Sequence, residues 1–586
     1  MDNKKSKKKR GIVMNDAAKL YDLWLEKTAD NEEIHSELLA IKGSDEEILD
    51  RFYRNLEFGT AGLRGVLGAG TNRMNTYTVC QATQGLADYL NSKYESASVA
   101  VGYDSRINSD VFSKQCAEVL AANGIKAYIF PRLMPTPLLS FAVMRLKCNS
   151  GIVITASHNP SKYNGYKCYD PAGYQMTDEA AMETYSFIQK VDMFEDVKRI
   201  PFDEAMEKGL IEYIPDSLAE EFYSQVMQRP INPEVIGGSD IKIIYTPLNG
   251  TGNIPVRTVL SRAGFKNVSV VPEQEMPDGK FPTCPYPNPE IRQVFECALK
   301  MTESEKADLL LATDPDCDRV GIAVLSGGEY VLLSGNDVGV LLSEYMLSAR
   351  KAKGTLPENP VMTKSFVSTP LFDRVAAKYG CKVVDVLTGF KYVGEFISKL
   401  QKEGGENRFV MGFEESYGYL IGTHARDKDA VAASLMICEM TAYYKSKGKT
   451  LVDVLNDIYA EFGNYANRLY NFAFEGASGM VKMAEIMSDT RKNPPKELAG
   501  LRVLKVHDFE AGFVTDCETG EKTAIELPKS NVLAYSLPDG NFAIVRPSGT
   551  EPKIKVYITG CGKTAQGAAE LAESLGGAMK KLLKIN

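Results

Sequence analysis

Short apolar blocks alternate along this chain with stretches in which apolar positions recur every three or four residues, a pattern that predicts strands interleaved with amphipathic helices. Ser98-Val99-Ala100-Val101-Gly102 reads as a strand. Asn108 or Ser109 then caps a helix with Phe112, Cys116, Val119 and Leu120 on one face. Gly124 stands where a helix end favours glycine, and Ala127 to Phe130 is the next strand. The rhythm restarts at Ile241 to Tyr245 and at Pro360 to Thr363, each time passing a glycine (Gly264, Gly380) before a valine-rich strand, Val268 to Val271 and Val383 to Val386. The last stretch differs: Phe542 to Val545, a loop, an alternating strand through Ile554, Val556 and Ile558, then an Ala/Leu/Lys-rich helix. The predicted class is α/β, with three similar α/β domains of mixed, largely parallel sheets and a C-terminal α+β domain.

Polar or turn-rich stretches place the boundaries near 216, 330 and 462. The expected division is a basic tail with a helical extension (1–45), domain I (46–215), domain II (216–330), domain III (331–462) and domain IV (463–586). A length of 586 residues exceeds one ordinary core, and 44% apolar with 25% charged residues are globular values. The net charge of −8 argues against a general nucleic-acid binder, so an anionic ligand must be held by locally placed Arg and Lys. Eleven scattered cysteines form no C-x-x-C pair, which suggests neither a disulfide framework nor a zinc knuckle and fits a reducing cytoplasm. No apolar run has the length to span a bilayer. The opening MDNKKSKKKRG is read as a disordered, solvated tail, or as an overextended start with Met14 as another initiator.

Four strings carry chemistry. In Ile154-Thr-Ala-Ser-His-Asn-Pro, Ser157 leaves an apolar run, Gly151 to Ile154, just before a proline, so its hydroxyl is expected on a loop at a strand's C-terminal end. Asp314-Pro-Asp-Cys-Asp-Arg lies between Leu309 to Ala312 and Val320 to Val324. Three carboxylates at alternating loop positions can converge on a hard cation such as Mg²⁺. An EF-hand is excluded, because Arg319 stands at the sixth loop position and Leu325 at the twelfth. Gly412-Phe-Glu-Glu-Ser-Tyr-Gly follows Phe409 to Met411 and offers Glu414 and Ser416 to sugar hydroxyls. Arg546-Pro-Ser-Gly-Thr-Glu-Pro joins a guanidinium to the hydroxyls of Ser548 and Thr550 and the exposed amide of Gly549, a good oxyanion clamp.

These strings, in this order, resemble the active-site loops of the α-D-phosphohexomutases, the superfamily of phosphoglucomutase and phosphomannomutase, from about Asn55 onward. The resemblance implies four domains around one central cleft. It implies Ser157 as the phosphoryl carrier, with His158 beside it, and Ser157, Asp314, Asp316 and Asp318 as Mg²⁺ ligands. Gly59-Thr-Ala-Gly-Leu-Arg-Gly resembles the loop bringing Arg64 to the reacting phosphate. Lys167 matches a candidate general acid or base, expected to have a lowered pKa beside Arg64 and a cation. Arg319, Thr388, Gly389, Lys391, Glu414, Ser416, His424, Arg426, Lys428, Arg546, Ser548, Gly549 and Thr550 are the implied substrate-binding residues. Phe413 stands where the family usually has glycine.

The implied activity is a phosphoserine- and Mg²⁺-dependent interconversion of α-D-glucose 1-phosphate and glucose 6-phosphate through glucose 1,6-bisphosphate. The alternatives are phosphopentomutase or phosphomannomutase action on the same scaffold. More distant rivals are a phosphatase using Asp314 as nucleophile and a sugar-phosphate-binding protein without turnover. Small-molecule sugar phosphates are the expected partners, without nucleic acid or membrane, for a cytoplasmic monomer or homodimer.

Overall fold

Ser150, Gly151, Ile152, Val153 and Ile154 are all buried, as are Leu309 through Thr313, so two of the predicted strands are covered on both faces. Such burial belongs to central strands of largely parallel sheets with helices on either side. The computed structural model describes residues 2–59, 62–474, 476–548 and 553–585, with side chains from Met14 onward except at 476–478. Its contacts divide the chain into two units. The first is Met1–Ala323, Gly394–Glu406 and Gly418–Cys438, and the second is Val324–Val393, Asn407–Tyr417 and Glu439–Asn586.

The first unit holds two sheets. One contains β1 (Leu63–Val66), β2 (Ser98–Tyr103), β3 (Lys126–Ile129), β4 (Ser150–Ile154), β5 (Tyr163–Tyr169) and β6 (Ile211–Tyr213), in the order β1-β5-β4-β2-β3-β6. β2 runs parallel to β3 and β4, whereas β5 returns antiparallel to β4 and pairs with β1. The other contains β7 (Lys242–Thr246), β8 (Asn267–Val270), β9 (Leu309–Thr313) and β10 (Val320–Ser326), in the order β10-β9-β7-β8, with β7 parallel to β8 and β9.

In the second unit, after β11 (Glu329–Leu333), come β12 (Val361–Ser365), β13 (Lys382–Val386) and β14 (Phe409–Glu414), with β12 between β13 and β14 and parallel to both. The repeat read in the sequence is therefore a shared topology: each time the first strand sits between the second and the third. The chain moves one way from first to second strand and the other way to the third. A crevice then opens at the C-terminal ends of the first and third strands, where open α/β sheets bind ligands.

The C-terminal part is α+β, as predicted, but its sheet is larger than the sequence showed. Seven antiparallel strands include Asn464–Ala473, Phe542–Pro547 and Lys553–Gly562, and three short strands lie between 505 and 524, a stretch with no distinct pattern. Ala572, Leu575 and Met579 of the helix Ala565–Leu582 pack on Val545, Ile554, Val556 and Ile558.

The expectation of a disordered N-terminal tail is overturned, since the backbone is helical over Asp2–Lys27. Ala17, Tyr21 and Trp24 recur at helical spacing and bury against Ile34, Leu38, Ile48 and Phe52. Trp24 also meets Phe52, Tyr77 and Phe194 edge-on at 5.8, 5.4 and 5.6 Å. All eleven cysteines are free, and no helix among the described residues is long and apolar enough to cross a membrane.

Candidate active site

Three of the four strings occupy equivalent places, because the serine loop follows β4, the aspartate loop β9 and the E-E-S loop β14, each the third strand of its repeat. Each loop holds a non-glycine residue in the left-handed region: Ser157 (φ 53°), Cys317 (φ 53°) and Tyr417 (φ 65°). This turn lifts the chain out of the sheet at the crevice.

In the first unit, Ser157 is buried and its Oγ donates to Asp314 Oδ2 at 2.9 Å, with His158 Nδ1 at 3.0 Å on the other side. The serine and aspartate loops thus form one centre. Burial, with the charges of Arg319 and Arg64, holds the His158 pKa well below its ordinary value, so the imidazole is neutral. Arg64 is exposed on β1, opposite Gly165 of β5. Thr60 and Ala61 of its loop lie outside the described residues. Gly62 is required there: its φ is 104°, and a Cβ would stand 1.9 Å from the Tyr166 carbonyl oxygen.

Asp314, Asp316 and Asp318 are buried, and one ligand atom of each lies within 4.8 Å of the others. Asp314 Oδ1 accepts from the Asp318 and Arg319 amides at 3.0 and 2.9 Å. Asp316 Oδ2 accepts from Thr136 Oγ1 at 2.9 Å and Lys167 Nζ at 3.0 Å, and Asp318 Oδ2 lies 3.0 Å from Lys428 Nζ. Asp316 Oδ1 and Asp318 Oδ1 are buried without a hydrogen-bond partner. Buried carboxylate oxygens left open beside a third carboxylate and a serine hydroxyl fit a small divalent cation in size, charge and donor type. Burial and the two neighbouring carboxylates push Asp314 well above the usual range, a strain a cation would relieve.

Lys167 corrects one expectation. Burial pulls its pKa down, but Asp316 and Asp318 together outweigh that and raise it, so it is a protonated donor rather than a lowered-pKa base. Lys428 joins the same cluster, clamped by Asp427 Oδ1 at 3.1 Å, while Asp427 Oδ2 accepts from Tyr169 Oη and Gln175 Nε2. Arg319 Nη1 donates to Glu290 Oε1 at 3.1 Å.

Two more of the expected substrate-binding residues, His424 and Arg426, are committed elsewhere. His424 Nε2 lies 2.7 Å from Asp429 Oδ2, and Asp429 Oδ1 caps the helix beginning at Ala430. Arg426 is buried with its guanidinium on Glu406, Gln401 and the Thr423 and Ala425 carbonyls. Its expected part in substrate binding does not fit this geometry, because the group is used to tie the loop together.

In the second unit, Glu414 Oε1 accepts from the Gly389 amide at 2.7 Å, which brings the E-E-S loop and the Thr388-Gly389 turn together. Ser368, at the C-terminal end of β12, donates to Glu415 Oε2 at 3.1 Å, so the crevice here too lies between first and third strands. Phe413, in place of the family's usual glycine, is fully buried against Phe372, with ring centroids 4.6 Å apart. Gly339 makes room, since a Cβ there would stand 2.6 Å from the Phe413 ring. Ser416 is half-buried, and Lys391 is buried with Nζ 5.1 Å from the Tyr392 ring centroid.

Arg546 is half-buried at the end of its strand and hydrogen-bonds Tyr557, whose hydroxyl burial pushes up, with Glu415 and Glu414 adding to the rise. Arg546 and Tyr557 thus lie within electrostatic reach of the E-E-S loop carboxylates. The Ser548 amide donates to the Lys553 carbonyl at 2.7 Å. Gly549 and Thr550 lie outside the described residues.

Sequence reading did not find Tyr557, Thr136, Asp427, or Asp104 and Arg106 after β2. Only Asp104 and Arg106 carry a usable signal, since they follow a first strand at the crevice end.

Models of the phosphoglucomutase/phosphomannomutase alpha/beta/alpha domains I, II and III match residues 55–194, 220–327 and 334–462, and that of the C-terminal domain matches 487–575. A phosphoglucomutase of Staphylococcus saprophyticus is 36% identical over 538 residues, covering 92% of this chain and 96% of the relative. One from Staphylococcus aureus is 35% identical over 542 residues, covering 92% and 95%. The chain belongs to the phosphoglucomutase/phosphomannomutase family.

Solved structures agree in fold. Paramecium pp63/parafusin, a phosphoglucomutase in its open form, superposes with a TM-score of 0.66 at 19% identity over 91% of this chain and 95% of that one. A Burkholderia thailandensis phosphoglucomutase/phosphomannomutase family protein gives 0.63 at 18% identity over 90% and 97%. Membership makes the protein a phosphohexomutase, an isomerase acting by phosphoryl transfer, and sets aside a binding protein without turnover. It also sets aside a phosphatase with Asp314 as nucleophile.

Proposed function

We propose that this phosphohexomutase interconverts α-D-glucose 1-phosphate and glucose 6-phosphate through phospho-Ser157 and glucose 1,6-bisphosphate, with Mg²⁺ held by Ser157, Asp314, Asp316 and Asp318. The supporting observation is the contact of Ser157 Oγ with Asp314 Oδ2 at 2.9 Å, in a centre where two other carboxylate oxygens are open. The phosphoglucomutase relatives support glucose as the sugar. Bound there, the cation would neutralise charge on the phosphoryl oxygens and lower the barrier to transfer.

In the first transfer the Ser157 Oγ–P bond breaks as the substrate's free hydroxyl bonds to phosphorus. Lys167, protonated and next to Asp316 and Asp318, is suited to supply the proton that the departing serine oxygen needs and to take up the one that the attacking sugar hydroxyl releases, so that it ends the step protonated, and Arg64 to hold the phosphoryl oxygens. After the bisphosphate turns end for end, Ser157 Oγ attacks its other phosphorus. This step reverses the first, so the proton that the serine hydroxyl gives up returns through Lys167 to the departing sugar oxygen, while Asp314 Oδ2 and His158 Nδ1, 2.9 and 3.0 Å from Oγ, orient the attacking hydroxyl. Glu414 and Ser416 are suited to ring hydroxyls. Arg546 with Ser548 suits the phosphate not in transfer, for which the family motif also provides Gly549 and Thr550.

Arg546→Lys keeps the charge and loses the paired donors, which should cost about 1.5–3 kcal/mol of phosphate binding. Michaelis constants should rise about tenfold or more, and unchanged steady-state kinetics would show that the loop only shapes a turn.

Sugar choice is tested at Glu414. An epimer with one hydroxyl turned away leaves this buried carboxylate underpaired, so kcat/KM should be higher for glucose 1-phosphate than for mannose 1-phosphate, and Glu414→Ala should lose much of that preference. Ribose 1-phosphate is the competing substrate. A kcat/KM for it above that for glucose 1-phosphate would make the enzyme a phosphopentomutase with the same serine chemistry.

A further inference from the structure

Both backbone polar groups of Ser157 lead back to one buried ion pair. The Ser157 amide donates to Thr155 Oγ1 at 2.8 Å, and that hydroxyl in turn donates to Asp104 Oδ2 at 2.6 Å. The Ser157 carbonyl accepts from Arg106 Nη2 at 2.6 Å. The same guanidinium donates to three more carbonyls of the loop: Asn159 through Nη2, and Pro160 and Tyr163 through Nη1, the last two at 3.0 Å. Asp104 Oδ2 lies 3.4 Å from Arg106 Nε, and its Oδ1 fixes the base of the pair by accepting from the Arg106 amide and Ser109 Oγ, each at 2.9 Å. Neither side chain is exposed, and Phe281 lies against the guanidinium, 5.1 Å from its ring centroid.

Ser157 has φ 53°, a conformation an L-residue holds only when its surroundings impose it. In that conformation Oγ points at Asp314 and His158. A lysine could not serve four carbonyls from one side, whereas the fixed fork of a guanidinium can. We infer that Asp104 and Arg106, through Thr155 and the four loop carbonyls, are positioning residues that hold Ser157 in its left-handed, reactive conformation. The inference rests on the proposed role of Ser157 as phosphoryl carrier. Both side chains of the pair are fully buried and the guanidinium bonds loop carbonyls rather than Ser157 Oγ, so its contribution lies in the rate of transfer rather than in substrate affinity.

The test measures single-turnover transfer of labelled phosphate from glucose 1,6-bisphosphate to the full-length protein, with the label mapped to its peptide. Wild type, Arg106→Lys and Thr155→Val are compared, and steady-state kinetics and thermal unfolding are followed in parallel. The expected result is label on Ser157 in wild type, a transfer rate about 10²-fold lower in Arg106→Lys and about tenfold lower in Thr155→Val, and a KM that changes far less than kcat. Thr155→Val removes one hydroxyl and leaves the ion pair in place, so it decides the matter even if Arg106→Lys does not fold. A Thr155→Val protein that labels Ser157 at the wild-type rate overturns the positioning role and leaves the mutase mechanism standing. Wild-type protein that never carries label on Ser157 overturns both.

Discussion

Ser157→Ala is expected to lower mutase turnover by at least about 10⁴-fold while leaving the fold in place. The neighbouring hydroxyl, Thr155 Oγ1, is hydrogen-bonded to Asp104 and to the Ser157 amide and is not available as a substitute nucleophile. Alanine meets the same left-handed backbone as serine, so the change removes the oxygen and its contacts to Asp314 and His158 without adding strain. Thermal unfolding should therefore stay close to wild type. Near-normal turnover in the variant would remove Ser157 from the mechanism.

Asp316→Asn, and divalent-metal removal by EDTA in the wild type, should each lower kcat by about 10³-fold, with a smaller change in KM. The asymmetry follows from where charge builds: three buried carboxylates aimed at one point matter most when the phosphoryl group is in transit. Asparagine keeps an acceptor for Thr136 Oγ1 but removes the charge that Lys167 faces and that a cation would use. Added Mg²⁺ should restore the chelated wild type and leave the variant impaired. Full activity in thoroughly chelated enzyme would contradict the metal assignment.

The sequence made the three α/β repeats visible because their central strands are buried on both faces, and continuous apolar runs such as Leu309 to Ala312 are hard to miss. The short strands between 505 and 524 were not legible: they are partly exposed, few residues long and stabilised by pairing within a sheet rather than by a local pattern. A helical extension was expected within 1–45, but the lysine-rich run hid that the helix starts at Asp2 and continues into the stripe of Ala17, Tyr21 and Trp24. In the candidate site, residues on motif loops were found and those that hold the loops were not. Arg106 holds a backbone carbonyl 51 residues away and Asp427 accepts from Tyr169 and Gln175, 258 and 252 residues away, and no local spacing reveals such partners. Lys167 shows the same limit from the other side. Its position was legible, but its pKa depends on two carboxylates about 150 residues away that outweigh the effect of burial.

The central claim is that Ser157 carries the phosphoryl group, and it is tested most directly by intact-mass analysis and peptide mapping of the purified protein before and after incubation with glucose 1,6-bisphosphate. The account predicts one added phosphoryl group, on Ser157; introduced in isotopically labelled form, it passes to the sugar phosphates on adding excess unlabelled glucose 1-phosphate, while Ser157 is rephosphorylated from the sugar. A protein that turns over glucose 1-phosphate while Ser157 stays unmodified throughout, or that carries the phosphoryl group on Asp314 instead, would contradict it.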